Sequence, residues 1–293
     1  MSRPDFTKLA VHRQVEAMGC THFEVGIFDP VKDQMRNCPW TREAVMKDEN
    51  IAYLKLRNMQ GCQIYIRPAG THGLTMLDDL KGTTVDAMKE SGFAPALVVE
   101  TSPGNYQAWI KHGKQLPVAE STAAARICAE KFGGDPGSAD WRHYGRLAGF
   151  TNRKPKYQQD NGHYPFVRLR EHSGQVYERA TELIQQAGQV VADERAAEAA
   201  RREAYKNRPP SAHQGDLRTI GSFWNDPKYQ GDHTRSDLAY ATYALARNVS
   251  EAEVDGALRS RDLSHKGNPA RQTDYVTRTI NKAKARALEG VER

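Results

Sequence analysis

The stretch Gly73-Leu74-Thr75-Met76-Leu77-Asp78-Asp79-Leu80 sets two carboxylates at the end of an apolar run. Leu74 to Leu77 reads as a strand, and Leu80-Lys81-Gly82 reads as a turn. In a regular strand adjacent side chains point to opposite faces. Asp78 and Asp79 can serve one site only where the chain stops alternating. Two readings stand: acids that shape a turn, or acids that hold divalent metal. Sixty residues on, Asp140-Trp141-Arg142-His143-Tyr144-Gly145-Arg146 brings a third acid beside cations, and Thr151-Asn152-Arg153-Lys154 follows. Three carboxylates next to such cations point to metal-dependent chemistry on nucleotides or nucleic acid.

Around that stretch the first half reads as mixed α/β. Val11, Val15 and Met18 form a helical stripe that Gly19 stops. Phe23, Val25 and Ile27 alternate as a strand. Thr41 and Asp48 are candidate caps of short helices ending near Gly61. Ile64-Tyr65-Ile66, Ala96 to Val99 and Phe166 to Arg170 are further strands. Pro117 to Phe132 is a helix closed by Gly133-Gly134. Strands outnumber the crossover helices that a doubly wound sheet needs. The expected class is α+β, with a mixed or antiparallel sheet and flanking helices. From Glu178 to Asn207, Ala, Glu, Gln and Arg dominate, a long polar helix that ends at Arg208-Pro209-Pro210. Ser250-Glu251-Ala252-Glu253 is a capping-box pattern. Leu238, Ala241 and Leu245 form one helical stripe, and Tyr275, Thr279, Ile280 and Ala283 form another. The expected domains are therefore 1–177, catalytic; 178–207, a connecting helix; and 208–293, a helical bundle.

The chain has 293 residues and a formal net charge of +6. Its distribution is uneven. Residues 141–170 hold seven Arg or Lys and one acid, Asp160, so that segment nets as much as the whole chain. A concentrated patch suits a polyanion partner. Tyr144 and Phe150 lie among these cations, as nucleotide binding favours, although a solvated basic face has the same composition. Cys20, Cys38, Cys62 and Cys128 form no CxxC pair, and no histidines stand at HxH or HxxxH spacing, against a zinc site. There is no GxxxxGK[ST] loop. No apolar run approaches the ~20 residues of a membrane span, and Met1 to Asp5 lacks the apolar core of a secretory signal, so the expectation is a cytoplasmic protein with no membrane partner. Ser102-Pro103-Gly104-Asn105-Tyr106-Gln107 reads as the start of a short helix through Trp109. Ser102 either caps that helix or, with the Asn105 and Gln107 amides, binds phosphate at its N-terminus.

Several blocks together resemble the RepB-type primases of mobilisable broad-host-range plasmids: Tyr65 to Ala69, His72-Gly73-Leu74, Leu77 to Leu80, Ala94 to Pro103 with Asn105 to Trp109, and Ser138 to Asp140 with Arg142 to Lys154. The last block is long and specific. Arg235 to Ala239 through Asp274 to Ile280 looks like the helical module behind such primase domains. The resemblance implies an archaeo-eukaryotic primase-type catalytic domain with an RRM-like sheet. It implies primer synthesis on single-stranded DNA at a plasmid origin, from nucleoside triphosphates, with Mg²⁺ or Mn²⁺ in a two-metal site. Asp78, Asp79 and Asp140 match the family's catalytic, metal-holding acids. The segment from Ser102 to Gln107 stands where many relatives carry a Ser-x-His phosphate motif, here without the histidine. Ser102, Asn105, Gln107, His143, Arg146, Arg153 and Lys154 are the implied nucleotide contacts, and Arg142 and Lys156 the implied DNA contacts. A plasmid helicase, an initiator or a fused relaxase are the further partners of that setting. The alternative is a non-catalytic origin-binding initiator that retains the primase fold.

Overall fold

Asp5 accepts a hydrogen bond from the Lys8 amide at the start of helix α1 (Phe6–Met18), and Gly19 closes it in the left-handed conformation, φ 68°. The computed structural model describes residues 4–206 and 217–289. Strands β1 (His22–Asp29) and β2 (Gln34–Thr41) form a hairpin. Thr41 then caps α2 (Arg42–Met46) through its hydroxyl. Asp48 is not a cap; it is the first residue of α3 (Asp48–Met59), where its charge suits the positive end of the helix. Then come β3 (Gln63–Pro68), β4 (Leu74–Leu80) and α4 (Gly82–Glu90), the last a helix that begins at the end of the Leu80-Lys81-Gly82 turn. The chain continues through β5 (Leu97–Ser102), β6 (Asn105–Lys111), α5 (Val118–Phe132), β7 (Gly145–Arg146), β8 (Arg168–Glu171) and α6 (Ala180–Lys206).

The expected α+β class is what the chain adopts, with the eight strands of the described residues divided between two four-stranded sheets. Their orders are β2-β1-β3-β7 and β4-β6-β5-β8, and every strand pair is antiparallel. Leu74, Met76, Leu97, Val99 and Trp109 turn one face of the second sheet into a core shared with Val11 and Val15 of α1 and with Phe23, Val25, Ile64 and Ile66 of the first sheet. Leu77, Val98, Ala108 and Ile110 face the other way. They pack on Val85 and Met88 of α4, Ala124 and Cys128 of α5, and Leu183 and Ala187 of α6. Burial on both faces is why these strands read as continuous apolar runs rather than alternating ones.

One local expectation fails. Asn105–Lys111 is not a helix but the strand β6, turned back from β5 through Pro103 and Gly104, whose φ is 75°. The Pro-Gly pair makes a hairpin turn, and Tyr106, Trp109 and Ile110 carry the β preference that the helical reading overlooked. Ser102 therefore stands at no helix N-terminus.

By Cα packing the chain divides into two units, Met1–Glu194 and Arg195–Arg293, and the division falls within α6. The expected break at Pro209-Pro210 lies outside the described residues. The second unit contains α7 (Ile220–Trp224), α8 (His233–Ala246), α9 (Glu251–Arg259) and α10 (Pro269–Glu289) around Leu245, Val254, Leu258, Val276 and Ile280. Ser250 and Glu253 form the expected capping box of α9. Asp237 is fully buried there, paired with Arg261 and accepting from Trp224 Nε1 (2.8 Å) and the Tyr275 hydroxyl (2.7 Å). Three donors satisfy a charge whose unpaired burial costs several kcal/mol. Among the described residues, no helix is long and apolar enough to cross a membrane.

His112 ties β6 to neighbouring elements in the first unit. Its Nε2 lies 2.9 Å from the Thr75 hydroxyl and its Nδ1 2.9 Å from the Tyr177 hydroxyl. Burial pushes its pKa down to about 4 from an ordinary 6.5, and neighbouring His72 adds to the shift. The unfolded chain therefore takes up a proton near pH 6.5 that the folded chain refuses until about pH 4. Stability from this group is complete above about pH 6.5 and falls as pH drops towards 4, by on the order of 3 kcal/mol. Melting curves of the wild type and His112→Gln across that window check this. The wild type is expected to lose stability more steeply; equal slopes would contradict it.

Candidate active site

Strand β4 does not end regularly. It pairs with β6 in register from Leu74 opposite Lys111 to Leu77 opposite Ala108, then jumps to Leu80 opposite Tyr106. Within this bulge Asp79 takes a left-handed backbone, φ 60°, uncommon for a residue with a side chain. The break lifts the alternation rule, and both Asp78 and Asp79 reach one cleft of about 340 Å³. Two hydrogen bonds hold the bulge. The Asp79 amide donates to Asp78 Oδ1 at 2.7 Å, and Asn105 Nδ2 donates to Asp79 Oδ1 at 2.7 Å.

The third acid of the cleft is Asp135, not the expected Asp140. Past the left-handed Gly133 that ends α5, the Asp135 amide donates to the Asp78 carbonyl at 3.2 Å. Gly134 lets the chain pass close: a Cβ there would stand 3.4 Å from the same carbonyl. Asp140 instead accepts from the Arg142 amide at 2.8 Å in its own turn and does not line the cleft. Among the described residues, no three His, Cys, Asp or Glu side chains converge tightly enough as they stand to hold an ion. Yet the charged ligating atoms gathered here are all oxygens, those of the Asp78, Asp79 and Asp135 carboxylates. That set fits a hard divalent cation such as Mg²⁺ or Mn²⁺ and not a thiolate-seeking metal.

Other residues of the lining are cationic and aromatic. Arg146 on β7 stands directly across from Tyr65 on β3, and its guanidinium lies 4.4 Å from the centre of that ring. Arg146 is only 4 % exposed and its Nη2 has no partner. Burial pushes its pKa down, while Tyr65, Asp78 and Tyr157 oppose the shift; the group stays charged. Its backbone is fixed separately: the amide donates to Gln107 Oε1 at 2.7 Å and the carbonyl accepts from Gln14 Nε2 at 3.0 Å. Tyr144 meets Tyr65 edge to face at 6.4 Å, and Arg67 stacks 4.3 Å from the Tyr144 ring centre. Burial pushes the Tyr144 phenol up to about 12 despite Arg67. His143, Lys154, Lys156 and Tyr157 also line the cleft.

Among the residues expected to contact nucleotide, the fold thus brings Asn105, Gln107, His143, Arg146 and Lys154 together with Asp78 and Asp79. Lys156, expected on DNA, joins them. Ser102 is buried and bonds the Tyr157 phenol, which it draws below its ordinary pKa. Arg153 leans on Tyr164, 5.0 Å from the ring centre, outside the cleft. Arg142 is exposed and also outside it. Sequence reading missed Asp135, Tyr65, Thr101 and Asn152. Gly133-Gly134-Asp135-Pro136 announces only a helix stop and a turn. Its approach to Asp78 comes from tertiary pairing.

The chain spans nearly all of one solved relative and only part of the curated proteins it matches. Residues 34–197 match the RepB DNA-primase N-terminal domain family. The crystal structure of primase RepB′ is 36% identical, covers 98% of this chain and 99% of that chain, and superposes with a TM-score of 0.63. The catalytic domain of RepB′ in complex with initiator DNA is 45% identical, over 66% of this chain and 98% of that one, with a TM-score of 0.61. Mobilization protein A of Escherichia coli is 39% identical over 289 residues, 95% of this chain but 40% of that protein. A DNA primase of Acidithiobacillus ferrooxidans is 36% identical over 96 residues, 32% of this chain and 27% of that protein.

A buried guanidinium with an unpartnered nitrogen is a desolvation cost to the fold and an asset to anion binding. Arg146→Gln is therefore expected to keep or slightly raise the melting temperature while weakening inorganic triphosphate binding about tenfold or more. Calorimetric titration beside a thermal melt measures both. Lost stability with unchanged affinity would make Arg146 a structural residue.

Proposed function

This chain belongs to the RepB DNA-primase family, and on that premise we propose that it starts DNA strands by template-directed nucleotidyl transfer in the Asp78–Asp79–Asp135 cleft. The observation that carries the reading is the pairing of opposites in one small space. Three carboxylates line it together with a buried, partner-seeking Arg146, Lys154 and Lys156. A triphosphate with its counter-cation needs both.

In this reading Arg146, His143, Lys154 and Lys156 take the phosphates of the incoming nucleotide. Tyr65 and Tyr144 present ring faces and edges that suit a base or ribose. Asn105 keeps Asp79 turned into the cleft, and Asn152 ties the Lys154 segment to β5 through the Thr101 carbonyl, 2.8 Å away. The 3′-hydroxyl oxygen of one nucleotide bonds to the α-phosphorus of the next, its proton leaves to solvent, and the bond to the departing pyrophosphate breaks. Asp78, Asp79 and Asp135 would hold Mg²⁺ or Mn²⁺, in a two-ion arrangement, which supplies positive charge to the triphosphate and acidifies the attacking hydroxyl. The substrate strand is single-stranded DNA at a plasmid origin; the binding of initiator DNA by the RepB′ catalytic domain supports this. The helical unit is assigned to hold the template or the initiating nucleotide, since two free nucleotides lack the stacking that steadies a primer end. The match to Mobilization protein A supports a setting in which a relaxase is joined to or works beside the primase.

Primer synthesis from labelled nucleotides on single-stranded circular DNA tests the proposal. Asp78→Ala, Asp79→Ala and Asp135→Ala are each expected to cut the rate at least about a thousandfold with the fold intact, and Asp140→Ala to retain synthesis. A folded wild-type protein that binds the strand and makes no primer would instead be an initiator without catalysis.

A further inference from the structure

Away from the cleft, α1 and the chain entering β8 enclose a groove of about 520 Å³. Its lining is unusual for a surface that solvent covers. Phe6 is 68 % exposed, Phe166 56 % and Leu9 42 %. The side chains of Arg13 and Arg168 line the groove with these rings, are exposed, and form no ion pair or hydrogen bond with another described residue. The groove holds no carboxylate of its own. Glu100, on the neighbouring hollow, is already taken by Arg170.

That second hollow, about 430 Å³, shares Phe166 and Arg168 with the first and adds Tyr164 and His163. Tyr164 carries the Arg153 guanidinium 5.0 Å from its ring centre, and Arg153 is next in sequence to Lys154, which lines the catalytic cleft. Phe6 and Arg13 thus line the first hollow, Phe166 and Arg168 line both, and half-buried Tyr164, with Arg153 stacked on it, lines the second. Stranded apolar rings are costly in water unless something covers them. Unpaired arginines beside them reject a cationic or purely apolar partner. A strand of nucleic acid with unpaired bases satisfies both features, because each nucleotide brings a π-face and one negative charge. A duplex hides its base faces and would leave the rings unused.

We propose that the α1–β8 groove, lined by Phe6, Arg13, Phe166 and Arg168, is a binding track for single-stranded DNA outside the catalytic cleft. Bases stack on the two phenylalanines, and phosphates meet the two arginines. The track gives the strand a second hold, so its binding is separable from the chemistry at the three acids.

The test uses the full chain and a fluorescent oligothymidylate, with anisotropy read over a series of salt concentrations. Arg13→Gln/Arg168→Gln is expected to weaken binding and to make the log–log salt slope shallower by about 1.4, ~0.7 for each phosphate no longer neutralised. Phe6→Ala/Phe166→Ala is expected to weaken binding about tenfold per ring, leaving the salt slope unchanged. Both side-chain pairs are exposed, so neither double variant threatens the core, and each is expected to bind inorganic triphosphate as the wild type does. An arginine effect without a phenylalanine effect would overturn the stacking site and leave a diffuse basic surface. Unchanged DNA binding in both variants would overturn the proposal altogether and leave the groove to a protein partner. Because the readout is binding, failure here is distinguishable from failure of primer synthesis in the acid variants.

Discussion

The left-handed turn of the backbone at Asp79 is the constraint on which the site depends. A continuous β4 would send Asp78 and Asp79 to opposite faces of its sheet. One of them would then enter the α4–α5 core as an unpaired charge. The bulge avoids that burial cost and turns the same two residues into a pair. Holding Asp at φ 60° costs on the order of 1 kcal/mol. The Asp78 carboxylate and the Asn105 amide offset it with one hydrogen bond each. The bulge also leaves the Asp78 carbonyl free of β6, and that carbonyl receives the Asp135 amide. One break in a ladder thus assembles three acids from two segments far apart in the chain.

Beside the cleft the two sheets meet closely at β7 and β6. Gly145 lies so close to Trp109 that a Cβ would stand 2.6 Å from the indole ring. One residue on, Gln107 of the second sheet accepts the Arg146 amide of the first. These interactions fix the backbone of β7 independently of the Arg146 side chain, which is left to stack on Tyr65 with an unsatisfied nitrogen. The contact with Tyr65 offsets only part of the desolvation that the fold bears. Residues kept against the interest of stability are characteristic of sites that bind charge.

Much of this was legible in the sequence because it rests on local rules. Gly19 ending α1, the capping box of α9, and the apolar strand ending in Asp78-Asp79 are patterns within a few residues. The resemblance carried in the Arg142–Lys154 block also points to the correct family. What the sequence hid was non-local or balanced between preferences. Asp135 looks like one more turn residue until its amide meets Asp78. Asp140, just before a conspicuous basic run, is the more eye-catching acid, yet its carboxylate is spent on the Arg142 amide. Strand β2 escapes notice because it is a mostly exposed edge strand interrupted by Pro39. The hairpin at Pro103-Gly104 reads as a helix start because Ser-Pro also opens helices.

In the proposed function, Asp135 rather than Asp140 completes the cation-holding acids with Asp78 and Asp79. Manganese binding, followed by water-proton relaxation in the presence of triphosphate, addresses it without relying on catalysis. Asp140→Asn is expected to bind Mn²⁺ like the wild type, whereas Asp135→Asn and Asp79→Asn are expected to bind it about tenfold more weakly or worse. Weakened binding in Asp140→Asn with normal binding in Asp135→Asn would contradict it.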